Sequence, residues 1–417
     1  MIVKTPKFIE FRVSNYRSIR DEVIFSMLAK DEINDSPSNA YEIDLSGGKK
    51  IKLLKTAAIY GANASGKSNF LKAFATFLKL LSETSGNNLE DKIEFDPFLL
   101  DKSMTGEPTS YSFEFLGSNF TLYRYKFSHT SIEIVKESLA QFEGGEFIDI
   151  FNRDGEIVLL GEKLKGKQIS PKVIPQRLYL SHLTNNLAEE IVSEVYRNIQ
   201  RIRSWSLVSV ESRDALLSSA LKRMAENSGN NNVNELVNRF IKNADFQTLS
   251  MTVEANRGEL TSYTSHKLFN KTAEEGTKVL SFYETASEGT KFFVGLIGVI
   301  AVIIEDGIPC LFDEINTSLH PDLCRLIIRL LNDPNVNKHN AQMIFSTHDI
   351  SLLEKTFLRK DQVWFTEKNK YGSSELYSAQ DFEDIPENVS LGELYDTGFF
   401  RAKPRINETR IKYPEKK

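Results

Sequence analysis

Residues Lys55 to Phe74, KTAAIYGANASGKSNFLKAF, constrain the fold more than any other stretch of this chain. Thr56 to Tyr60 is an apolar run of strand length, Gly61-Ala-Asn-Ala-Ser-Gly66-Lys67-Ser68 follows, and then Phe70, Leu71, Phe74 and Leu78 recur at helical spacing. A strand, the pattern G-x-x-x-x-G-K-S/T and a helix, in that order, make a phosphate-binding loop. Each residue type has a physical reason. Gly61 and Gly66 let the backbone turn with its N–H groups facing inward around an anion. A helix starting near Lys67 aims the positive end of its dipole at the same anion. Lys67 sets one ammonium on the β- and γ-phosphates, and the Ser68 hydroxyl can ligate Mg²⁺. The stretch predicts a nucleoside-triphosphate site whose remaining parts must come from later in the chain.

Gly307 to Glu314, GIPCLFDE, is an apolar strand ending in two carboxylates. Asp313 is placed to hold Mg²⁺ through water, and Glu314 to orient and deprotonate the attacking water. The next apolar strand, Gln342–Phe345, ends in Ser346-Thr347-His348-Asp349, which puts His348 within reach of a γ-phosphate. Ahead of both, Ala286-Ser287-Glu288-Gly289-Thr290-Lys291 runs into the apolar helix Phe292–Ile304. A Ser-x-Gly at a helix start is either an ordinary N-cap or a second anion contact.

At 417 residues the chain has length for two or three lobes. Its formal charge of −5 gives no global basic field, so any nucleic-acid contact must be a local patch. Cys310 and Cys324 have neither metal-ligand spacing nor a disulfide framework, which suits a reducing cytosol. The start, MIVKTPKFIEF, lacks the apolar core of a signal peptide. The longest apolar run, Phe292–Ile304, falls short of the about 20 residues that a bilayer requires. A cytoplasmic protein without a membrane partner is expected.

In chain order, residues 8–27 read as two strands around a polar turn at Ser14–Arg20. There Asn15-Tyr16-Arg17-Ser18 forms either a plain hairpin turn or an approach to the nucleotide. Residues 31–50 read as loop. Thr109–Phe115 and Phe120–Phe127 alternate as a hairpin, and Ile132–Val135, Phe147–Phe151 and Ile157–Leu160 continue in short strands with Gly-Gly and Asp-Gly turns. Helical patterns cover Asn186–Arg203, Asp214–Ala225 and Val233–Lys242, the last two parted by the loop Asn227–Asn232. Their basic residues make either a solvated face or a DNA-facing patch. Leu249–Val253 and Glu259–His266 form another hairpin, Leu323, Ile327, Leu330 and Leu331 a helix, and Gln362–Thr366 the last strand; from Tyr371 the chain is less regular. Residues 401–417 carry seven basic against two acidic residues, as either a solvated tail or a contact for nucleic acid or a partner. The expected units are an N-terminal ATPase lobe at 1–182, a helical insertion at 183–245, a C-terminal ATPase lobe at 246–400 and a basic tail at 401–417.

The motifs, in this order, resemble those of the ABC-type ATPase heads of the SMC, RecF and OLD group. They are more similar still to the stand-alone ATPases of restriction-linked and abortive-infection loci, the RloA-like family. The resemblance rests on NYRSI at Asn15–Ile19, the phosphate loop, SEGTK at Ser287–Lys291, DEINTSLHP at Asp313–Pro321 and STHD at Ser346–Asp349, and covers roughly residues 8–80 and 245–400. It implies an α/β fold: an ABC-ATPase head, with a RecA-like P-loop sheet and an antiparallel β layer, plus the helical insertion. It implies that Gly61, Asn63, Ala64, Ser65, Gly66, Lys67, Ser68 and Asn69 bind ATP. Ser68 and Asp313 would hold Mg²⁺, Glu314 would be the general base, His348 the switch histidine, and Arg17 would lie near the nucleotide. Ser287 and Gly289 would cap the γ-phosphate of a partner subunit, which requires a head-to-head dimer over two ATP molecules.

The chain departs from the family in three ways. No clear Mg²⁺-linked glutamine follows the phosphate loop, Gln141 being the nearest candidate. No long coiled-coil arm is present. OLD relatives carry a C-terminal Toprim nuclease with a D-x-D motif, whereas here about 70 residues follow His348 and no D-x-D occurs. The expectation is therefore an ATPase that dimerises or assembles further on ATP. It would act as a sensor or regulator in anti-phage defence and control a separately encoded nuclease or toxin. The alternative is a DNA-repair or chromosome-maintenance ATPase of RecF or SMC type that clamps DNA. A transporter motor fits poorly with the NYRSI strand pair.

Overall fold

A computed structural model describes residues 5–403, apart from 34–35, 47, 168, 170–171, 187–189, 208, 227–231, 244–247, 257–258, 273–275, 318, 355–356, 384 and 387–388. Most of the expected 227–232 loop, position 318 of the DEINTSLHP stretch and the tail from 404 lie outside the described residues.

Two sheets with one helix between them position the site. The P-loop strand Thr56–Gly61 lies inside a six-stranded sheet, between Gln342–Ser346 and Val363–Lys368, both parallel to it. All of its residues are buried, and its unbroken apolar run is what a strand covered on both faces requires. Pro309–Asp313 and then Arg203–Ser206 extend the sheet in parallel on one side; Ser374–Ser378 closes the other edge antiparallel. The second sheet is antiparallel and seven-stranded, with Lys7–Ser14 between Val23–Ser26 and Thr109–Leu116. From there it runs out through Leu122–His129, Ile134–Glu143, Glu146–Asp154 and Ile157–Leu160.

The P-loop helix Lys67–Glu83 is packed between these layers. Phe70, Phe74 and Phe77 stand one turn apart on one face and meet Phe8, Phe11 and Phe113 of the antiparallel sheet. Phe11 and Phe74 meet edge-on at 4.9 Å between centroids, an arrangement aromatic quadrupoles favour. Leu311, Ile344 and Trp364 of the six-stranded sheet close the same core. Buried Gln342 ties the layers directly: its Oε1 accepts from Phe8 N at 2.7 Å and its Nε2 donates to Phe8 O at 3.0 Å.

A second core forms around the helix Glu288–Asp306. The helix Val210–Glu226 runs along it, Asn232–Asn243 packs beside it, and the small sheet Thr248–Asn256, Glu259–Lys267, Thr277–Ser281 packs against both of these helices. Gly298 permits the approach, since a Cβ there would stand 2.5 Å from the Cβ of Ala220. Of the segment read as an insertion, the part from Leu207 on shares its apolar core with the helix that follows the SEGTK stretch, whereas Leu183, Val192, Val195, Ile199 and Ile202 join the core of the P-loop helix.

The α/β class, with a P-loop sheet and an antiparallel layer, is as expected. Several element readings are corrected. Residues 31–50 are not all loop: Ala40–Asp44 pairs with Lys50–Leu54, with Glu42 opposite Lys52 and Asp44 opposite Lys50. Its inward residues Tyr41, Ile43, Ile51 and Leu53 join a small apolar cluster while charged residues face out, so the ribbon reads as polar. The strand after residue 360 is Val363–Lys368 rather than Gln362–Thr366, and the chain beyond Tyr371 adds the strand Ser374–Ser378 and the helix Leu391–Asp396. The first helical pattern, read over Asn186–Arg203, is the helix Glu190–Arg201, and a separate helix, Tyr179–Asn186, precedes it.

Candidate functional site

The strands Pro309–Asp313, Gln342–Ser346, Thr56–Gly61 and Val363–Lys368 run parallel and in register, so Asp313, Ser346, Gly61 and Thr366 arrive at one end of the sheet. Crevices at the carboxyl ends of parallel strands are where α/β proteins bind ligands. Here the chain turns from Gly61 into the helix at Lys67 and leaves a cleft of about 430 Å³, lined by residues 63–69 together with Glu314, His348 and Lys368.

The loop needs its glycines. Gly61 has φ 153° and Gly66 φ 123°, conformations unfavourable to any side chain. A Cβ on Gly61 would also lie 2.5 Å from the hydroxyls of Ser65 and Thr366. Those two hydroxyls are themselves 2.5 Å apart and fix the loop to the neighbouring strand. Ser374 Oγ donates to Ser65 O at 2.7 Å, Ser374 N donates to Ser18 O at 2.7 Å, and Asn69 Nδ2 donates to Ser18 Oγ at 2.7 Å. The phosphate loop is therefore braced from behind by the N-terminal turn and the last hairpin.

Lys67 is buried, and its Nζ donates to the Gly61 and Ala62 carbonyls at 2.8 and 3.1 Å. Burial pulls its ammonium down to about 8, against the opposing pull of Glu314 and Asp313. Ser68 Oγ donates to Asp313 Oδ1 at 3.1 Å, and Ser346 Oγ donates to the same oxygen at 2.7 Å. A hydroxyl and a carboxylate side by side at a phosphate loop are a donor set suited to Mg²⁺, which takes few protein ligands and completes its shell with phosphate and water. No group of three or more acidic, histidine or cysteine ligands occurs among the described residues, so a self-sufficient protein cage is not offered there.

Glu314 sits at φ 58°, a left-handed conformation rare for a residue with a side chain. Its N–H donates to Ser346 Oγ at 2.7 Å, and its Oε2 accepts from Thr317 Oγ1 at 3.1 Å. Backbone strain of this kind persists only where neighbours impose it, and it occurs most at working sites. His348 lines the cleft opposite the loop. Its pKa is lowered by partial burial and then by Lys67, so its imidazole is neutral near pH 7.

Other expected residues lie elsewhere. Arg17 does not line the cleft; its guanidinium holds Asp96 at 2.7 Å, and the adjacent Ser18 makes the contact with the loop helix. Gln141 lies on the strand Ile134–Glu143, donates to Glu143 at 2.9 Å, and is not in the cleft. Ser287 caps the helix Glu288–Asp306 by accepting from Thr290 N at 3.2 Å. The turn 287–289 is exposed and contributes nothing to the cleft of its own chain. Sequence reasoning missed Lys368, which ends the strand beside the loop, and the bracing hydroxyls of Ser346, Thr366 and Ser374. The signal for Lys368 was its place at the end of a strand beside the P-loop strand.

Comparison with known proteins gives a family. A family model described as "AAA domain, putative AbiEii toxin, Type IV TA system" matches residues 57–354. No curated protein sequence matches the chain. Among solved structures, it is similar to an SMC head bound to the C-terminal winged-helix domain of ScpA, at 13% identity and TM-score 0.44, covering 93% of this chain and 99% of that one. It is similar to an SMC head with an extended coiled coil from Pyrococcus furiosus, at 15% identity and TM-score 0.39, covering 96% and 100%. It is similar too to the recombination mediator RecF with a bound ATP analogue, at 13% identity and TM-score 0.34, covering 89% and 98%. At such low identity and loose superposition, nothing those proteins bind passes to this chain.

Proposed function

The chain belongs to the AAA-domain family whose model spans most of it, and from that premise we propose an ATPase that closes into a dimer when ATP binds. Its hydrolysis would set the state of a separately encoded nuclease or toxin in a cytoplasmic anti-phage system. The observation that carries the reading is the pairing in one cleft of Glu314, held at φ 58° by Ser346 and Thr317, with Lys67 and Ser68, the latter hydrogen-bonded to buried Asp313. In this reading the loop amides and Lys67 hold the phosphates of ATP. Ser68 and Asp313 would hold Mg²⁺, which would supply positive charge beside the phosphates. Glu314 takes a proton from the attacking water, and neutral His348 donates a hydrogen bond to the γ-phosphate.

The dimer is supported by a division of parts. Ser287 and Gly289 sit exposed at a helix start, outside their own chain's cleft, where a second copy could use them to cap its γ-phosphate. The family's description names a putative toxin of a Type IV toxin–antitoxin system, which supports a place in a toxin-bearing locus; a separately encoded effector is our own reading. Glu314→Gln tests the reading. It should keep ATP affinity, slow turnover by about 10²–10⁴-fold, the range of a general base, and leave an ATP-stabilised dimer visible by light scattering. Wild-type turnover in this variant would remove Glu314 from the reaction.

A further inference from the structure

Beyond the loop, on the side of Val363–Lys368, a second pocket of about 490 Å³ shares Asn63, Ala64, Ser65 and Lys368 with the ATP cleft. Four cations from two segments line it, Lys368 and Lys370 from one and Arg401 and Lys403 from the other, against one carboxylate, Glu367. The segments are fixed to each other. Phe400 stacks on Phe365 at 4.4 Å, Tyr377 donates its hydroxyl to Phe400 O at 2.5 Å, and Arg401 closes the following turn at φ 61°. Lys403 is taken up by Asp396 O at 2.7 Å. Among the described residues neither Lys368 nor Arg401 has an ion-pair partner. Tyr371 is 70% exposed at the tip of the adjoining hairpin, with the Lys370 ammonium 4.9 Å from its ring centroid. The charge continues along the sequence from the rim of this pocket: 401–417 has seven basic and two acidic residues in a chain of net charge −5.

Unpaired cations beside an exposed aromatic ring are the pattern that binds single-stranded nucleic acid, phosphates on the cations and a base on the ring. An acidic peptide would use the cations but leave the ring without a stacking partner. We infer that this pocket binds the backbone of a single-stranded nucleic acid, with Lys368, Lys370 and Arg401 on phosphates and a base stacked on Tyr371. The strand would then lie against residues 63–65 of the ATP loop, and its presence would be felt where the nucleotide binds. Such a strand would be the trigger in the reading proposed above.

The test is fluorescence anisotropy of the full chain with a labelled oligothymidylate of about 20 nucleotides, a length that spans one such groove. Binding should weaken steeply with salt, and Lys370→Glu, Arg401→Glu and Tyr371→Ala should each weaken it by about 5- to 100-fold. Lys370, Arg401 and Tyr371 lie outside the ATP cleft, so those variants should keep ATP affinity. Lys67→Ala should lose ATP and keep the oligonucleotide, which separates failure of the ATP reading from failure of this one. Equal binding by the three variants, equal competition by polyglutamate, or tighter binding of the matched duplex would each overturn the inference.

Discussion

At the scale of single residues, Lys67 carries a consequence that pH can expose. Burial holds its ammonium down at about 8 in the nucleotide-free chain, with Glu314 and Asp313 pulling upward. Phosphate oxygens favour the charged form and raise that value on binding. As pH rises through about 8 the nucleotide-free lysine loses its proton, and ATP must restore it. ATP binding should therefore take up a proton above that pH and none at Lys67 well below it, so affinity falls as pH rises. Calorimetry in buffers of different ionisation enthalpy measures the uptake directly; a binding enthalpy independent of buffer above pH 8 would show that Lys67 is already charged. In the nucleotide-free chain the pKa of His348 is held down by burial and then by Lys67.

At the scale of elements, two packing devices hold the site's supports. The helix Glu288–Asp306, which presents the SEGTK turn, lies against Val210–Glu226 through Gly298 and Ala220. Gly298→Leu should force these helices apart at a cost of about 1–3 kcal/mol, the usual range for overpacking. It should lower the thermal midpoint and impair turnover more than ATP affinity; an unchanged midpoint would mean the helices part without penalty. In the antiparallel sheet, fully buried Glu137 faces Arg153 and accepts from Tyr125 Oη at 2.8 Å and from Leu180 N at 2.8 Å at the start of a helix. Burial raises its pKa, against Arg153 and those donors. Glu137→Ala should cost about 3–5 kcal/mol in chemical denaturation, because it strands a buried guanidinium; a loss under 1 kcal/mol would mean water replaces the carboxylate.

What could be read in advance follows the same logic. The P-loop strand and helix, the hairpin at 109–127 and the strand before Asp313 were legible because burial on one or both faces writes an unambiguous apolar period. Arg203–Ser206, Thr277–Ser281 and Ser374–Ser378 were not, because edge strands as polar as RSWS, TKVLS and SELYS carry little period. Of the candidate site, residues 63–69, Glu314 and His348 line one cleft, with Asp313 joined to it through Ser68, since chain order at parallel strand ends sets where they emerge. Arg17 reads differently in the structure because Asp96, 79 residues away in sequence, takes its guanidinium, a partner that no local pattern announces.

At the scale of the whole molecule, the phosphate loop and the exposed turn at 287–289 do not meet within one chain, and the proposed dimer would bring them together. The phosphate loop opens at the carboxyl end of the six-stranded sheet, and Ser287 and Gly289 stand exposed at the start of another core's helix. No helix among the described residues is long and apolar enough to cross a membrane. Closed two-fold pairs are the commonest homo-oligomers, and the proposed dimer would be one. Mixing two inactive variants tests this most directly. Lys67→Ala removes nucleotide binding and leaves the turn; Ser287→Arg removes the turn and leaves the loop. Each alone should be inactive, and an equal mixture should recover up to about a quarter of wild-type ATP turnover, since half of randomly formed pairs carry one complete centre. No recovery on mixing, or full turnover by Ser287→Arg alone, would mean that each copy works without its twin.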